Sequence, residues 1–508
     1  MDVQLQHLIP EAILLAMACI VTLLGLSPKD SMRKLTQLLA ALALLASLIL
    51  SIGHLVTLSP CHLVTPSPFF NPDYITLLAC GIGLLTVFAA WDMPSKSDPS
   101  VADSHYRGEF FGMMLFSLAG VAMIGKVNDL VWLFIALELV SIPTYILVAT
   151  GRSQAVAQEA GVKYFFLGAL AAAIFVFGFS YLYGATGSTR FVDIAVWFKA
   201  NSTMTPLAMI GLIMAIVGVS YKIAAVPLHF YTPDVYQGAA TPVTALLAFA
   251  PKTAGFVAII SLLSLFHFNF SGPSGSSILS LLTVMSVVTM SVGNVLALLQ
   301  RNIKRILAYS SIAHSGYMLV GLVAGPNAGV DATLFYLASY AIMNLGVFAV
   351  LIYLQGKADT AEDLDDLSGV AREHPLAALL MAVCLFSLIG MPLTVGFLGK
   401  LYLLVAALST GHTILAVILV INAAVAAAYY LRIIAAMYLR EPLYPFATRS
   451  SVPIKAAAII CSLAVVVFFF VPGPLSQANA RSLDTTTMTP PPMRTILPAP
   501  TQPASSLE

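Results

Sequence analysis

Charge is scarce in this chain of 508 residues, because only 9% of the side chains are Asp, Glu, Lys or Arg whereas 59% are hydrophobic. A water-soluble domain cannot bury so large an apolar fraction in one core. The net charge of +1 excludes nucleic acid as a partner, since that contact needs clustered Lys and Arg. The lipid bilayer is therefore expected to surround most of the chain.

Cysteine is rare as well, and the five cysteines are scattered without any pair at C-x-x-C spacing. That spacing is typical of iron–sulfur and zinc sites. The sequence also lacks GxGxxG and GxxxxGK[ST] loops, so nicotinamide, flavin and ATP have no recognisable binding motif. We expect no cofactor and no metal in this chain, and we assign any redox chemistry to partner chains.

Long apolar runs dominate the sequence instead. At about 20 residues per crossing, fourteen segments reach spanning length: 10–26, 35–58, 71–91, 109–125, 128–149, 161–183, 206–226, 240–267, 278–299, 303–324, 331–354, 376–404, 413–437 and 453–471. Acidic rather than basic residues precede or open the first run, which we therefore interpret as a retained helix and not a secretory signal. The prediction is an all-α integral membrane protein with about 14 transmembrane helices.

The basic residues are distributed unevenly between the connections. About a dozen Lys and Arg fall in the odd-numbered connections, and only about three, Lys126, Arg190 and Lys199, fall in the even-numbered ones. The positive-inside rule then places the odd connections in the cytoplasm and both termini outside. The Pro- and Thr-rich tail, 472–508, has too little apolar surface to fold and is predicted to be disordered.

Two spans contain helix breakers next to polar residues. These are SYKIAAVPLHFYTPD, around Pro227 and Pro233, and SLIGMPLTVGFLGK, around Gly390 and Pro392. Each is the fourth span of a run of five, and corresponding broken helices in two halves are typical of transporters built from inverted repeats. The predicted units are a three-helix region 1–91, repeats 109–267 and 278–437, a last helix 453–471 and the tail.

A small set of ionisable residues remains within or beside the spans. A charge at the centre of a membrane helix costs about 2.5–3.5 kcal/mol, so each needs a partner, a hydrated cavity or a neutral form. We interpret the set as candidate stations for protons. Its members are Glu138, Lys163, Lys222, Lys252, Lys304, Lys400, His229 and His314.

Glu138 lies in the middle of DLVWLFIALELVSIPTYIL, and Lys222 is its expected partner from another helix. Burial favours the neutral form of both groups, whereas pairing favours the charged form. A change in their separation would therefore make Lys222 hold or release a proton. The alternative is a static ion pair that only joins two helices.

Lys252, after Pro251, and Lys400, at the end of the second broken helix, are expected to carry protons in turn. For Lys400 the alternative is a position near the membrane surface with an outward-pointing ammonium group. Lys163, at the start of its span, either extends outward in the same way or lies beside Lys222 and repels its charge.

In QRNIKRILAYSSIAHSGYML, the basic cluster around Lys304 is typical of a cytoplasmic anchor. His314 lies about 15 Å further along the helix, and two interpretations remain open. It either joins a hydrogen-bonded chain with Ser310, Ser311 and Tyr317 or bonds a backbone carbonyl.

His229 lies next to the first helix break, where broken backbone implies water. Asp129 and Asp234 are interpreted as helix-cap or loop residues rather than as proton carriers.

The run KIAAVPLHFYTPDVYQGAATPVTALLAFAPKTAGF resembles the antiporter-like membrane subunits of respiratory complex I, the NADH:quinone oxidoreductase. Its form TPDVYQG followed by TPV is similar to the N type, and to chloroplast NAD(P)H dehydrogenase subunit 2, rather than to the LPDAH type. NIKRILAYSSIAHSGYML and DLVWLFIALELVSIPTYIL fit the same family, and the likeness covers nearly the whole chain apart from the tail. Phe230 and Tyr231 depart from the family pattern, which usually has Trp after the motif histidine.

The resemblance implies two inverted five-helix repeats and a polar axis that translocates protons. It assigns the fifth-helix glutamate to Glu138 and lysines of this axis to Lys163, Lys222, Lys252, Lys304 and Lys400. NADH, FMN, iron–sulfur clusters and quinone would bind to partner subunits, beside other complex I membrane subunits in a bacterial inner membrane. The alternatives are a subunit of a cation/proton antiporter and a membrane scaffold that does not pump.

Overall fold

The computed structural model describes residues 7–57, 70–92, 107–152, 155–201, 204–355, 362–443, 448, 451–473 and 475. Within these ranges the chain is helical, and the only strand-like pairings are two isolated bridges, Asp129 with Arg190 and Asn302 with Asp363. Nearly all of the predicted disordered tail, 472–508, lies outside the described residues.

The first half of the chain contains ten of the helices. These are α1 (Ile9–Gly25), α2 (Asp30–Thr57), α3 (Pro72–Ala89), α4 (Arg107–Ile124), α5 (Leu130–Thr150), α6 (Ala155–Thr186), α7 (Phe191–Ala200), α8 (Pro206–Ser220), α9 (Thr232–Gly238) and α10 (Thr241–Leu265). The second half continues with α11 (Gly272–Leu298), α12 (Ile303–Ala324), α13 (Ala328–Leu354), α14 (Val370–Glu373), α15 (Pro375–Ile389), α16 (Val395–Ser409), α17 (Thr413–Leu439) and α18 (Val452–Phe470).

Eleven of these helices are long and apolar enough to cross a membrane. Helix α1 is shorter, and two further crossings are discontinuous, one made of α8 and α9 and the other of α15 and α16. The described residues therefore contain the fourteen elements that hydropathy predicts. Helices α7 and α14 are short and lie in connections.

Both predicted helix breaks are present. Helix α8 ends at Ser220 and helical structure resumes only at Thr232, so Pro227 lies within the break while Pro233 occupies the first turn of α9. The second break begins at Gly390, whose φ of 92° is in the left-handed region that glycine adopts without a steric penalty. Proline has no amide hydrogen and cannot continue the helical hydrogen bonds.

Three helices form the centre of the bundle. All of the apolar stretch of α10 is buried inside the chain, and so is 94% of the corresponding stretches of α12 and α13. Only a third of the corresponding stretches of α6 and α18 is buried, and these helices present apolar side chains outward, as expected next to lipid. The central position of α10 and α12 places their polar residues far from lipid.

Close backbone contact joins the N-terminal helices to the rest of the bundle. A Cβ atom added at Gly108, at the start of α4, would lie 2.1 Å from the Cα atom of Gly25 at the end of α1. Small residues at such crossings let membrane helices approach closely. By contrast, a Cβ atom at Gly81 in α3 would meet no atom within 4 Å.

We therefore expect Gly108→Ala to lower the thermal stability of the full chain in detergent, because α1 and α4 would have to separate. Gly81→Ala is the matched control and should keep or slightly raise the melting temperature, since alanine favours a helix by about 1 kcal/mol over glycine. Equal melting temperatures for the two variants would contradict the close crossing.

Candidate functional site

The predicted pair of Glu138 and Lys222 is present. Lys222 Nζ lies 3.3 Å from Glu138 Oε1, and the lysine side chain is only 2% exposed. The same ammonium group donates a hydrogen bond to Ser141 Oγ, and Ser141 in turn donates to the carbonyl of Leu137 at 2.7 Å. Since residues 138 and 141 are one turn apart on α5, one helix face supplies both acceptors for the lysine.

A small cavity separates Lys222 from Lys252. Both lysines line it, and the hydroxyl-bearing residues at its wall are Tyr164, Tyr231, Thr232 and Tyr236. The two ammonium groups and these hydroxyl groups are the polar partners that a water molecule in the cavity would need. The break after α8 shapes this cavity, because Tyr231 and Thr232 lie at its end.

Lys252 is buried in α10 and its charge is met by uncharged groups. Its Nζ donates to the backbone carbonyl of Ser311 and to Ser315 Oγ, the latter at 2.6 Å, and lies 5.5 Å from the centre of the Tyr340 ring. Among the described residues no carboxylate forms an ion pair with Lys252. Its proton is therefore held only by dipoles and by an aromatic face.

His314 bonds two tyrosine hydroxyls. Its Nδ1 lies 2.7 Å from the hydroxyl of Tyr336 on α13, and its Nε2 lies 3.0 Å from that of Tyr430 on α17. Ser310 Oγ is hydrogen-bonded to the same Tyr430 hydroxyl. The alternative of a bond to a backbone carbonyl is therefore wrong, and of the three predicted chain members only Ser310 is linked to His314, through Tyr430.

The two other predicted members of that chain have different partners. The hydroxyl of Tyr317 accepts a hydrogen bond from Asn294 Nδ2 at 2.9 Å, and Ser311 Oγ lies 3.0 Å from the hydroxyl of Tyr236. Ser311 thus links the cavity wall to Lys252, because its hydroxyl bonds Tyr236 and its backbone carbonyl accepts a hydrogen bond from Lys252.

Lys400 points into the bundle rather than toward the membrane surface. Its Nζ donates to the carbonyls of Leu388 at 2.9 Å and Ile389 at 2.8 Å, and it lies 5.1 Å from the centre of the Tyr317 ring. These carbonyls end α15 and have no partner further along the helix, so a cation there is favourable. The alternative of an outward-pointing side chain is wrong, and the second helix break creates the site.

Lys304 is also buried, with 1% of its side chain exposed. Its Nζ lies 3.2 Å from the carbonyl of Ala239 and 3.4 Å from Glu362 Oε1, a carboxylate that also pairs with Arg152 at 2.7 Å. The expectation of a cytoplasmic anchor is therefore wrong for this residue, because an anchor would be solvated. Sequence reasoning did not single out Glu362.

Lys163 is half exposed and pairs with two carboxylates, Glu159 at 2.7 Å and Asp234 at 3.0 Å. Asp234 lies in the first turn of α9 and also pairs with Arg305 at 2.8 Å. Asp234 was expected to be only a cap or loop residue, yet it joins α6, α9 and α12. Asp129 does cap α5 as expected, accepting from the amide of Val131 at 2.7 Å.

His229 occupies the first break and is 5% exposed. Its Nδ1 is buried and finds no hydrogen-bond partner in the described part of the chain, while its ring lies 4.4 Å from that of Phe230. A buried polar atom without a protein partner is usually satisfied by water. Hydration at the break stays a prediction.

The chain is similar to known membrane proteins in both sequence and fold. Residues 127–426 match the family described as NADH:quinone oxidoreductase/Mrp antiporter, transmembrane. The NADH-quinone oxidoreductase subunit N of Rhodospirillum rubrum is 36% identical over 487 residues, which cover 94% of this chain and 96% of that protein.

Solved structures show the same fold. A chain of respiratory complex I from Thermus thermophilus with bound aureothin superposes with a TM-score of 0.75 at 30% identity, covering 93% of this chain and 100% of that chain. A chain of the Mrp complex from Dietzia sp. gives a TM-score of 0.76 at 19% identity, covering 92% of this chain and 96% of that chain, and this likeness concerns the fold alone.

The ion pair between Glu138 and Lys222 predicts coupled effects on stability. Glu138→Gln and Lys222→Met should each destabilise the full chain in detergent, because the first leaves a buried charge and the second a partly buried charge without its partner. The double variant should lose less than the sum, by about 0.5–3 kcal/mol, as found for residues in contact.

The matched control combines Glu138→Gln with Lys400→Met, two residues that share no partner among the contacts described above. Their effects on the free energy of unfolding should add. Additive effects for both pairs would mean that Glu138 and Lys222 do not interact in the folded chain.

Proposed function

Because this chain belongs to the family of NADH:quinone oxidoreductase and Mrp antiporter membrane subunits, with subunit N proteins among its relatives, we propose that it translocates protons in a respiratory NADH:quinone oxidoreductase. It is a multi-pass bacterial membrane protein. In this proposal NADH, FMN, iron–sulfur clusters and quinone bind to partner subunits, and the redox energy reaches this chain through neighbouring membrane subunits.

The observation that carries the proposal is a succession of three buried lysines. Lys222, Lys252 and Lys400 are each less than 10% exposed, and hydroxyl groups or a cavity lie between neighbouring members. An isolated lysine inside a membrane protein is costly. A row of them, tied mainly to uncharged acceptors, is suited to groups that gain and lose protons rather than to permanent ion pairs.

The first station differs from the others because it alone has a carboxylate partner. With Glu138 at 3.3 Å, Lys222 is favoured in its charged form. If Glu138 moves away, burial favours the neutral amine and the proton passes through the hydrated cavity to Lys252. Two adjacent ammonium groups repel each other, so charging of one station favours release from the next.

In this proposal two sets of hydrogen-bonding groups extend the path beyond Lys252. Ser315, Ser311 and the chain of Ser310, Tyr430, His314 and Tyr336 lie between α10 and the second broken helix. Lys400 then sits at the carbonyls that end α15. In this proposal 109–267 and 278–437 are inverted repeats, each with one helix break. The break at Pro227 then hydrates one side of the membrane midplane and the break at Pro392 the other.

Two other readings of the same fold make different predictions. A cation/proton antiporter subunit would be driven by an ion gradient and would work without NADH. A scaffold would need the charges only for assembly. The match to subunit N proteins over nearly the full length favours the redox-driven pump, whereas the likeness to the Mrp chain concerns only the fold.

The proposal makes Lys252 the central station. In vesicles containing the assembled complex, Lys252→Met should strongly reduce the number of protons pumped per NADH oxidised. Lys252→Arg should be nearly as harmful, because a guanidinium group stays protonated and cannot release what it receives.

Lys455→Met is the matched control, since this lysine is exposed on α18 and lies outside the axis. Its pumping ratio should equal that of the unmodified complex. If Lys252→Arg also pumps normally, Lys252 is a fixed positive charge and the transfer mechanism fails.

Orientation follows from the basic residues in the connections. A cysteine at the exposed position 373 should react with a membrane-impermeant thiol reagent from the cytoplasmic side only, and one at the exposed position 201 from the opposite side only. The unmodified chain measures the background of native cysteines. Reaction of both positions from the same face would show that a crossing between them has been miscounted.

A further inference from the structure

A polar cluster lies away from the central axis, at one end of the three N-terminal helices. It combines His7, just before α1, His54 in the last turn of α2 and Asp73 in the first turn of α3. The cluster continues to Glu11 and Lys126. None of these residues contacts the lysines of the axis through the bonds described above, so the proton pathway does not explain them.

The geometry points to a binding site for a Zn²⁺-type divalent metal ion, and we propose that His7, His54 and Asp73 are its protein ligands. One ligand atom from each residue lies within 4.8 Å of the other two. Ligand atoms around a tetrahedral zinc ion stand about 3.3 Å apart. Small side-chain adjustments therefore bring the three atoms to bonding distance.

The donor set has the chemistry that Zn²⁺ prefers. Two imidazoles and one carboxylate form a familiar three-ligand zinc site, which leaves a fourth position for water. Hard cations such as Mg²⁺ and Ca²⁺ prefer all-oxygen sites, so they are disfavoured by the two imidazoles.

Unsatisfied polar atoms support the assignment. His54 Nδ1 is buried without a hydrogen-bond partner in the described residues, and so is Glu11 Oε2, on a residue that is only 2% exposed. Asp73 Oδ2 lies 3.7 Å from His7 Nδ1, which is too far for a hydrogen bond. A metal ion bound by His54 Nδ1 would satisfy an atom that the described residues leave without a partner.

Lys126 occupies part of the same negative environment. Its Nζ lies 2.8 Å from Glu11 Oε1 and 3.1 Å from Asp73 Oδ1, and it also donates to the carbonyl of His7. One carboxylate oxygen of Asp73 thus pairs with the lysine while the other faces the histidines. Because lysine and metal compete for the same carboxylates, Lys126 is expected to weaken metal binding rather than to assist it.

The site would join three successive elements. His7, His54 and Asp73 come from the segment before α1, from α2 and from α3, and a shared metal ion would tie their ends together. A ligand that binds only the folded state raises its stability. A metal ion can reach the site from outside the protein, because the His7 side chain is 19% exposed.

The test uses the full chain, purified in detergent without a polyhistidine tag. Elemental analysis after equilibration with Zn²⁺ should find one ion per chain, and Zn²⁺ should raise the melting temperature. His7→Ala, His54→Ala and Asp73→Asn should each weaken binding at least about tenfold, the lower limit seen when groups supporting a metal site are removed. They should also abolish the thermal shift.

Two further variants separate a metal site from a purely structural cluster. His412→Ala removes an imidazole elsewhere on the chain and should leave Zn²⁺ binding unchanged. Lys126→Met should strengthen Zn²⁺ binding, which no structural role of the cluster predicts. The proposal is overturned if the unmodified chain binds no Zn²⁺, or if the ion is retained equally by His7→Ala, His54→Ala and the unmodified chain.

Discussion

The cost of placing a charge away from water constrains this structure more than any other interaction. Three buried lysines offset this cost with different sets of acceptors. Lys222 uses a carboxylate and a hydroxyl, Lys252 a carbonyl and a hydroxyl, and Lys400 the terminal carbonyls of a helix. In the proposed function, these mostly neutral acceptors allow a neighbouring charge to shift the balance between charged and neutral lysine.

The broken helices follow from the same constraint. A continuous helix satisfies its own backbone and offers few acceptors, whereas a helix that ends within the bundle leaves carbonyls free. The end of α15 provides the carbonyls for Lys400, and the break after α8 opens the cavity between Lys222 and Lys252. Polar backbone within a membrane is tolerated only where protein or water covers it. The two breaks therefore supply carbonyl acceptors for Lys400 and space between Lys222 and Lys252.

Sequence alone predicts the parts of this arrangement that depend on local composition. Hydropathy gives the crossings, proline and glycine give the breaks, and the cost of a lone carboxylate in Leu-rich surroundings identifies Lys222 as the partner of Glu138. Contacts that depend on helix rotation were missed. The residues Tyr336 and Tyr430 belong to helices without a distinct polar face, so no periodicity indicates that their hydroxyls meet at His314.

Ion pairs formed by residues near the ends of spans were missed for a different reason. Lys126 lies in a short connection, where sequence alone indicates only which side of the membrane the connection occupies. In the structure it pairs with Glu11 and Asp73, each more than fifty residues away in sequence. Asp234 beside a proline has the appearance of a cap, and only the packing of three helices shows its two cationic partners.

The most direct test of the axis is an electron cryo-microscopy map of the assembled complex that resolves water. The account predicts ordered water in the cavity that links Lys222 to Lys252, and a cavity that is dry or filled by apolar side chains would contradict it.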